Sequence, residues 1–230
     1  NDVCYHNANV KIVAVGGGFA YGSLGVTHHA TEDLAIMRAL PGIVVVAPGD
    51  PVEVEQATRA IAAHRGPCYL RLGRAGEAVV HRSPMEFRLG RAIRVRDGGD
   101  LTLISTGGLL EMAVGVAERL AAQRVQARVL SMHTLKPLDA DAVVSAARET
   151  GAIVTLEEHS VIGGLGGAVA EVLAESETAR VPFKRIGLAS AFATHVGSQE
   201  YLRARHAIST EEILRSVEPL LRPTKTAQPS

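Results

Sequence analysis

Along almost the whole chain, short apolar runs of strand length alternate with segments whose apolar residues recur at helical spacing. That alternation constrains the fold more than any other feature. Strand–helix–strand units of this length close as mostly parallel sheets with right-handed crossovers. Residues 10–15 read as a buried strand ended by Gly16, Gly17 and Gly18. Leu34, Met37 and Leu40 share one face of a helix expected over 31–40, broken by Pro41 and Gly42. A second strand is expected at 43–47. Asp50 suits an N-cap, Pro51 the first helical position and Glu53 the third, so a helix starts there and runs to about His64. A third strand covers 68–72. Residues 73–100 lose the period and read as a crossover with one antiparallel edge strand near 91–95. Beyond it, strands at 101–105, 127–131, 152–156 and 183–188 alternate with helices at 109–123, 139–150, 167–176 and 209–221. The fold class expected is α/β, in two consecutive mostly parallel-sheet segments: 1–80 and 101–222, with 81–100 as linker and 223–230 as a disordered tail.

Composition narrows the function classes. Of 230 residues, 47% are hydrophobic but only 3% aromatic, with no Trp, which suits sheets buried on both faces by small aliphatic side chains. The formal net charge is zero and no long basic run occurs, so nucleic acid is not an expected partner. No apolar stretch approaches the roughly 20 residues of a membrane helix, so a membrane is not expected either. Cys4 and Cys68 form no CxxC pair and no Cys/His metal spacing exists, so no metal site is expected in this chain. Reduced thiols in a cytoplasmic protein are the expectation. The chain opens on Asn1 with no signal-peptide pattern and reads as cut from a longer chain or as an ordered fragment.

Three stretches can carry chemistry. The loop Gly22-Ser-Leu-Gly-Val-Thr-His-His29 joins a strand to a helix at the strand's carboxyl end, where open parallel sheets bind ligands. Its histidines either offer protons near neutral pH or, for His29, pack the following helix. Arg71 and Arg74 flank the end of the third strand, placed for a phosphate or for a surface ion pair. The segment Glu157-Glu-His-Ser-Val-Ile-Gly-Gly-Leu-Gly-Gly167 enters a helix through glycines. Its helix N-terminus can attract an anion, or the glycines can serve tight packing or a subunit contact. No P-loop, dinucleotide fingerprint or GxSxG elbow is present.

Taken in order, these stretches resemble the transketolase family. The resemblance is carried by 9–13, by Gly-Val-Thr-His at 25–28, by Glu32 to Pro41, by Val-Val-Ala-Pro-Gly-Asp at 45–50 and by Tyr-Leu-Arg-Leu-Gly-Arg at 69–74. It continues with Thr-Leu-Lys-Pro-Leu-Asp at 134–139 and with 155–166. It implies a partial thiamine-diphosphate pyrimidine-binding domain followed by a transketolase C-terminal-like domain. Thiamine diphosphate and Mg²⁺ are then shared with an N-terminal diphosphate-binding subunit, in an α2β2 assembly acting on small sugar phosphates. The cofactor-binding residues are expected upstream of Asn1 and on that partner. His28 matches the family histidine that faces the reacting carbon, and Arg74 the arginine that contacts the substrate phosphate. Thr27 and His29 flank that histidine as further substrate-binding candidates.

Two departures from the family pattern bear on substrate. The family loop usually reads Gly-Glu-Asp-Gly before Thr-His, and here the acidic position is Leu24. A second family histidine is replaced by the run Gly16–Gly18. The resemblance implies a two-carbon ketol transferase component that is incomplete alone, and the departures imply either a substrate other than a standard pentose phosphate or a weak activity. A 1-deoxyxylulose-5-phosphate synthase-like protein, a 2-oxo acid dehydrogenase beta-like component and a non-catalytic assembly subunit are the alternatives.

Overall fold

A computed structural model describes residues 1–177 and 180–221, and the expected tail lies outside them. It contains two sheets. In the first, β1 (Lys11–Val15), β2 (Val44–Val46) and β3 (Cys68–Leu72) run parallel in the order β1-β3-β2. A short α1 (Asp2–Tyr5) precedes them, and α2 (Asp33–Ala39) and α3 (Pro51–Ala63) connect them. Helix α2 stops where Leu40 turns extended, the conformation forced on a residue before proline.

The second sheet has the order β4-β6-β5-β8-β9. Its strands are β4 (Ile93–Arg96), β5 (Leu101–Ser105), β6 (Ala127–Ser131), β8 (Ile153–Ser160) and β9 (Phe183–Leu188). Only β4, the edge strand foreseen near 91–95, is antiparallel. Helices α4 (Leu110–Ala122), α5 (Ala140–Glu149), α6 (Leu165–Glu175), α7 (Gln199–Arg205) and α8 (Thr210–Leu221) complete the unit.

Several elements depart from the sequence reading. Helix α1 is not foreseen there, and β1, expected as a buried strand, leaves Val13 53% and Val15 57% exposed. Strand β7 (Thr134–Lys136) leaves the second unit and pairs antiparallel with β2 of the first, Val45 opposite Lys136 and Val46 opposite Thr134. At three residues it is too short to show a period. Strand β8 runs to Ser160 rather than 156, because Glu157, Glu158 and His159 are buried polar residues that a hydrophobic pattern excludes. Helix α7 has seven residues and only one buried side chain, Leu202, so it carries little amphipathic signal.

The two units share their interior. One apolar cluster joins Leu34 and Val45 of the first unit to Ile104, Leu130, Met132, Val143 and Val169 of the second. In another, Phe19 enters a core otherwise built by the second unit around Leu103, Val116 and Val154.

The segment 73–100 is stitched down by the N-cap carboxylates of two helices. Asp50 caps α3 through Oδ1, accepting from Glu53 N at 2.8 Å, while Oδ2 accepts from Val80 N and His81 N, each at 2.9 Å. Asp139 caps α5 through Oδ1, from Ala142 N at 3.1 Å, and its Oδ2 accepts from Ala92 N at 2.8 Å. Glu53, the third helical residue foreseen as a capping partner, accepts from Gly49 N at 2.6 Å and from the His81 ring at 2.8 Å. Among the described residues no helix is long and apolar enough to cross a membrane.

Asp50 therefore serves a helix and a strap with one buried side chain. Asp50→Ala is expected to lower the unfolding free energy by about 3 kcal/mol, the sum of a lost cap and stranded charge-assisted bonds. Urea unfolding measures it; a loss below about 0.5 kcal/mol would show that water replaces these bonds freely.

Candidate active site

The loop after β1 is closed at its base by a reciprocal pair, Gly18 N to Ala30 O at 2.8 Å and Ala30 N to Gly18 O at 3.0 Å. Between them lie two 3-10 turns, Gly22–Leu24 and Val26–His28. Gly18 has φ +63°, and a Cβ there would stand 2.7 Å from the Glu158 carboxylate. Gly22 is equally constrained: a Cβ would meet Gly197 O at 2.8 Å and Leu202 Cδ1 at 2.5 Å. Both glycines are thus required by close approach of the second unit.

At the loop tip Thr27 and His28 are exposed, and Thr27 Oγ1 lies 3.0 Å from His28 Nδ1. That contact leaves Nε2 as the imidazole nitrogen free of the loop. His29 turns inward. It is half-buried, with Nε2 3.3 Å from Gly22 O and its ring edge-on to Phe19 at 5.1 Å. Leu24 is 57% exposed on the same loop, and no residue from 19 to 30 is acidic.

The two arginines at the end of β3 separate into distinct tasks. Arg71 is buried: Nη2 donates to Ala30 O at 2.7 Å and to Glu158 O at 3.0 Å, and Nε lies 3.1 Å from Asp33 Oδ2. Tyr69 donates to the same Asp33 oxygen at 2.8 Å, and burial, with Asp33 beside it, pushes its phenol well up. Arg74 is exposed at the mouth of a polar cleft of about 310 Å³ shared with Gly49, Glu77, Gly108, Gln199 and Arg203. Burial raises the Glu77 carboxyl there, against the pull of Arg203.

The end of β8 is a cluster of three buried polar residues. Glu157 accepts from Leu165 N at 2.7 Å and from Gly166 N at 2.8 Å. The glycine-entered helix turns its first amides onto the chain's own Glu157 carboxyl. Burial pushes Glu157 up to about 7 despite those two bonds. His159 Nε2 accepts from Ala35 N at 3.3 Å, with Nδ1 2.7 Å from Ser160 O, and burial lowers its pKa. Its contact of 3.6 Å with Glu157 joins two groups that burial drives toward neutrality, so it is not a full ion pair. Between them Glu158 meets Phe19 N, Gln199 and Arg203.

The loop thus brings Thr27 and His28 to one exposed tip, while Arg74 stands at the end of the same sheet on a different loop. Gln199 and Arg203, which also line the cleft, carry no sequence signal: they lie on α7, in a stretch that reads as irregular. Among the described residues no group of three or more His, Cys, Asp or Glu is arranged to hold a metal ion.

Glu157 gives the fold a pH signature. Its carboxyl is raised, so the folded state binds the extra proton, and the stability this adds is complete below about pH 4.5 and lost as pH rises through about 7. Between pH 5 and 8 the wild type should lose about 2 kcal/mol relative to Glu157→Gln. Denaturant melts across that range check it, and parallel curves would show that Glu157 stays ionised throughout.

Two family models match the chain: transketolase, pyrimidine binding domain, over residues 1–76, and transketolase, C-terminal domain, over residues 90–213. The chain is 42% identical over 214 residues to 6-deoxy-6-sulfo-D-fructose transketolase subunit SqwH of Clostridium sp. (strain MSTE9), covering 93% of this chain and 66% of that protein. It is 39% identical over 216 residues to an apulose-4-phosphate transketolase subunit of Phocaeicola vulgatus, covering 94% and 68%. A solved structure described as a split gene transketolase, inactive beta4 tetramer, superposes with a TM-score of 0.87 at 38% identity, over 96% of this chain and 70% of that one. The chain thus spans about two thirds of the length of these relatives.

Proposed function

The chain belongs to the transketolase family, and from that premise we propose that it is the carboxy-terminal section of the second subunit of a split, thiamine-diphosphate-dependent transferase. The reaction is transfer of a two-carbon ketol unit between sugar phosphates or closely related sugars. The observation that carries this reading is the Thr27–His28 tip. An exposed imidazole, engaged through Nδ1 by its neighbour, stands on a loop whose base and flank are pinned to both units. The two relatives that are themselves transketolase subunits support the split organisation.

Bound thiamine diphosphate supplies the carbon nucleophile and the electron sink. This chain's residues do the rest of what falls to it. His28 Nε2 donates to a substrate oxygen as its charge develops, and Thr27 fixes the ring for that bond. Arg74 offers a planar guanidinium to an anionic substrate tail. Mg²⁺ and the diphosphate are held by an N-terminal partner subunit, in an α2β2 assembly. The self-assembled, inactive tetramer of a 38% identical relative supports both self-association and inactivity without the partner. Two free cysteines, one of them buried, fit a cytoplasmic setting.

Leu24 bears on substrate choice. A pocket built to hydrogen-bond a hydroxyl discriminates strongly for it, and an exposed Leu offers no such bond. The preferred sugar therefore lacks the hydroxyl, or the configuration, that an acid at this position would engage.

The test is reconstitution. The full-length subunit, its diphosphate-binding partner, thiamine diphosphate and Mg²⁺ are assayed for ketol transfer from a panel of ketose phosphates, deoxysulfo-ketoses and unphosphorylated ketoses. Activity should require both chains, and His28→Ala should lower kcat/KM by about 10²-fold or more. Leu24→Asp should improve kcat/KM for xylulose 5-phosphate by about tenfold relative to the wild-type substrate. A stable complex without transfer from any donor would instead mark an assembly subunit.

A further inference from the structure

Glu158 lies in the second unit, yet its side chain is only 5% exposed and faces the first. Oε1 accepts from Phe19 N at 2.7 Å, the first residue past the glycine run. Gln199 Nε2 reaches both carboxylate oxygens, at 3.0 and 3.1 Å. Arg203 closes on Oε2 with Nε at 2.7 Å and Nη2 at 2.5 Å. A buried carboxylate with this many donors has one low-energy position. The absent side chain of Gly18 is what makes room for it.

The same residue grips the loop at its exit. Arg71 Nη2 bridges Ala30 O and the backbone carbonyl of Glu158. Residue 158 thus holds the His28 loop at both ends, by its side chain at Phe19 and through Arg71 at Ala30. The loop is also held by residues on either side of the helix that binds the carboxylate. Gly197 N donates to Gly22 O at 3.3 Å, and the His206 ring lies 5.2 Å from Phe19, which also pairs ring to ring with His29. Arg203 meanwhile lines the cleft at Arg74, with its charge already committed.

We propose that Glu158 is a positioning residue for His28, and that by neutralising Arg203 it also sets how strongly the Arg74 cleft attracts an anionic substrate tail. The proposal rests on the reading of His28 as the substrate-facing imidazole. A carboxylate that only stabilised the fold would influence melting and nothing else. A positioning carboxylate separates kcat from KM. Its loss lets the loop drift, lowering kcat, while the freed Arg203 guanidinium strengthens binding of a phosphorylated or sulfonated tail and lowers KM.

The experiment uses the reconstituted two-subunit enzyme with Glu158→Gln, Glu158→Asp and the double variant Glu158→Gln/Arg203→Gln. His28 is followed in parallel, in the isolated full-length chain, by NMR of its ring Cε1–H with ring-labelled histidine. Glu158→Gln should shift or broaden the His28 signal, lower kcat about tenfold or more and lower KM for an anionic donor. The double variant should restore KM but not kcat, and Glu158→Asp should recover part of kcat. Should Glu158→Gln fail to fold, Gln199→Leu removes two of the bonds and keeps the ion pair; it should perturb His28 and kcat to a lesser degree. The proposal is overturned if the folded variants melt lower but leave the His28 signal and the kcat-to-KM relation as in wild type. If no donor is turned over by any version, the functional reading fails, and the His28 signal alone still decides whether Glu158 positions the loop.

Discussion

Three consecutive polar side chains at the end of β8 are buried, and a buried polar group must find partners or unfold its surroundings. Glu157 finds them on α6, within its own unit. Glu158 finds Gln199 and Arg203 in its own unit and Phe19 N in the other, and His159 finds Ala35 N on α2, also in the other unit. The relative placement of the two units is therefore an electrostatic requirement of one strand. Arg71 completes it by carrying a charge from the first sheet to the Glu158 backbone. Rotating one unit against the other would break the bonds of Glu158 to Phe19 N, of Arg71 to Glu158 O and of His159 to Ala35 N together. Single apolar contacts at the same interface can slide at far smaller cost.

The remaining joints follow the same economy of oxygen atoms. Asp50 and Asp139 each cap a helix with one oxygen and fasten the connecting segment with the other. That segment looks like a linker in composition because it has no period of its own. Its order is borrowed from helix ends that need carboxylates anyway. Phe87 adds to it by stacking on the buried His133 ring at 4.0 Å.

The strands at 68–72 and 101–105 were legible in the sequence because each is a run of mainly apolar residues with glycine or proline breakers on both sides, and those at 127–131 and 183–188 were legible from their place in the strand–helix alternation. The start of α3 was legible from its cap, Asp50. What stayed hidden has common causes. Strand β7 and helix α7 are too short for periodicity to accumulate. The extension of β8 consists of polar residues whose burial depends on partners outside the strand, those of Glu158 some forty positions away. At the candidate site, Thr27, His28 and Arg74 stood out through their motifs. The functions of Glu158, Gln199 and Arg203 are invisible in any local window, because their meaning lies in a contact between distant segments. The glycine-rich entry to α6 read more readily as tight packing or a subunit contact than as an anion seat, because composition cannot say that Glu157, eight residues upstream, accepts from its first amides.

Strand β7 has a consequence for how such a chain can be recombined. Encoded in the middle of the second unit, it completes the sheet of the first by covering β2. A cut at the connecting segment divides the sequence cleanly but leaves β2 with a bare edge, and the excised half carries a strand with nothing to pair against. The two family domains are thus separable as text and inseparable as folding units. Grafting the second unit of a relative onto this first unit would import a foreign edge strand, so substrate preference in such chimaeras can be exchanged only together with the β2–β7 pairing.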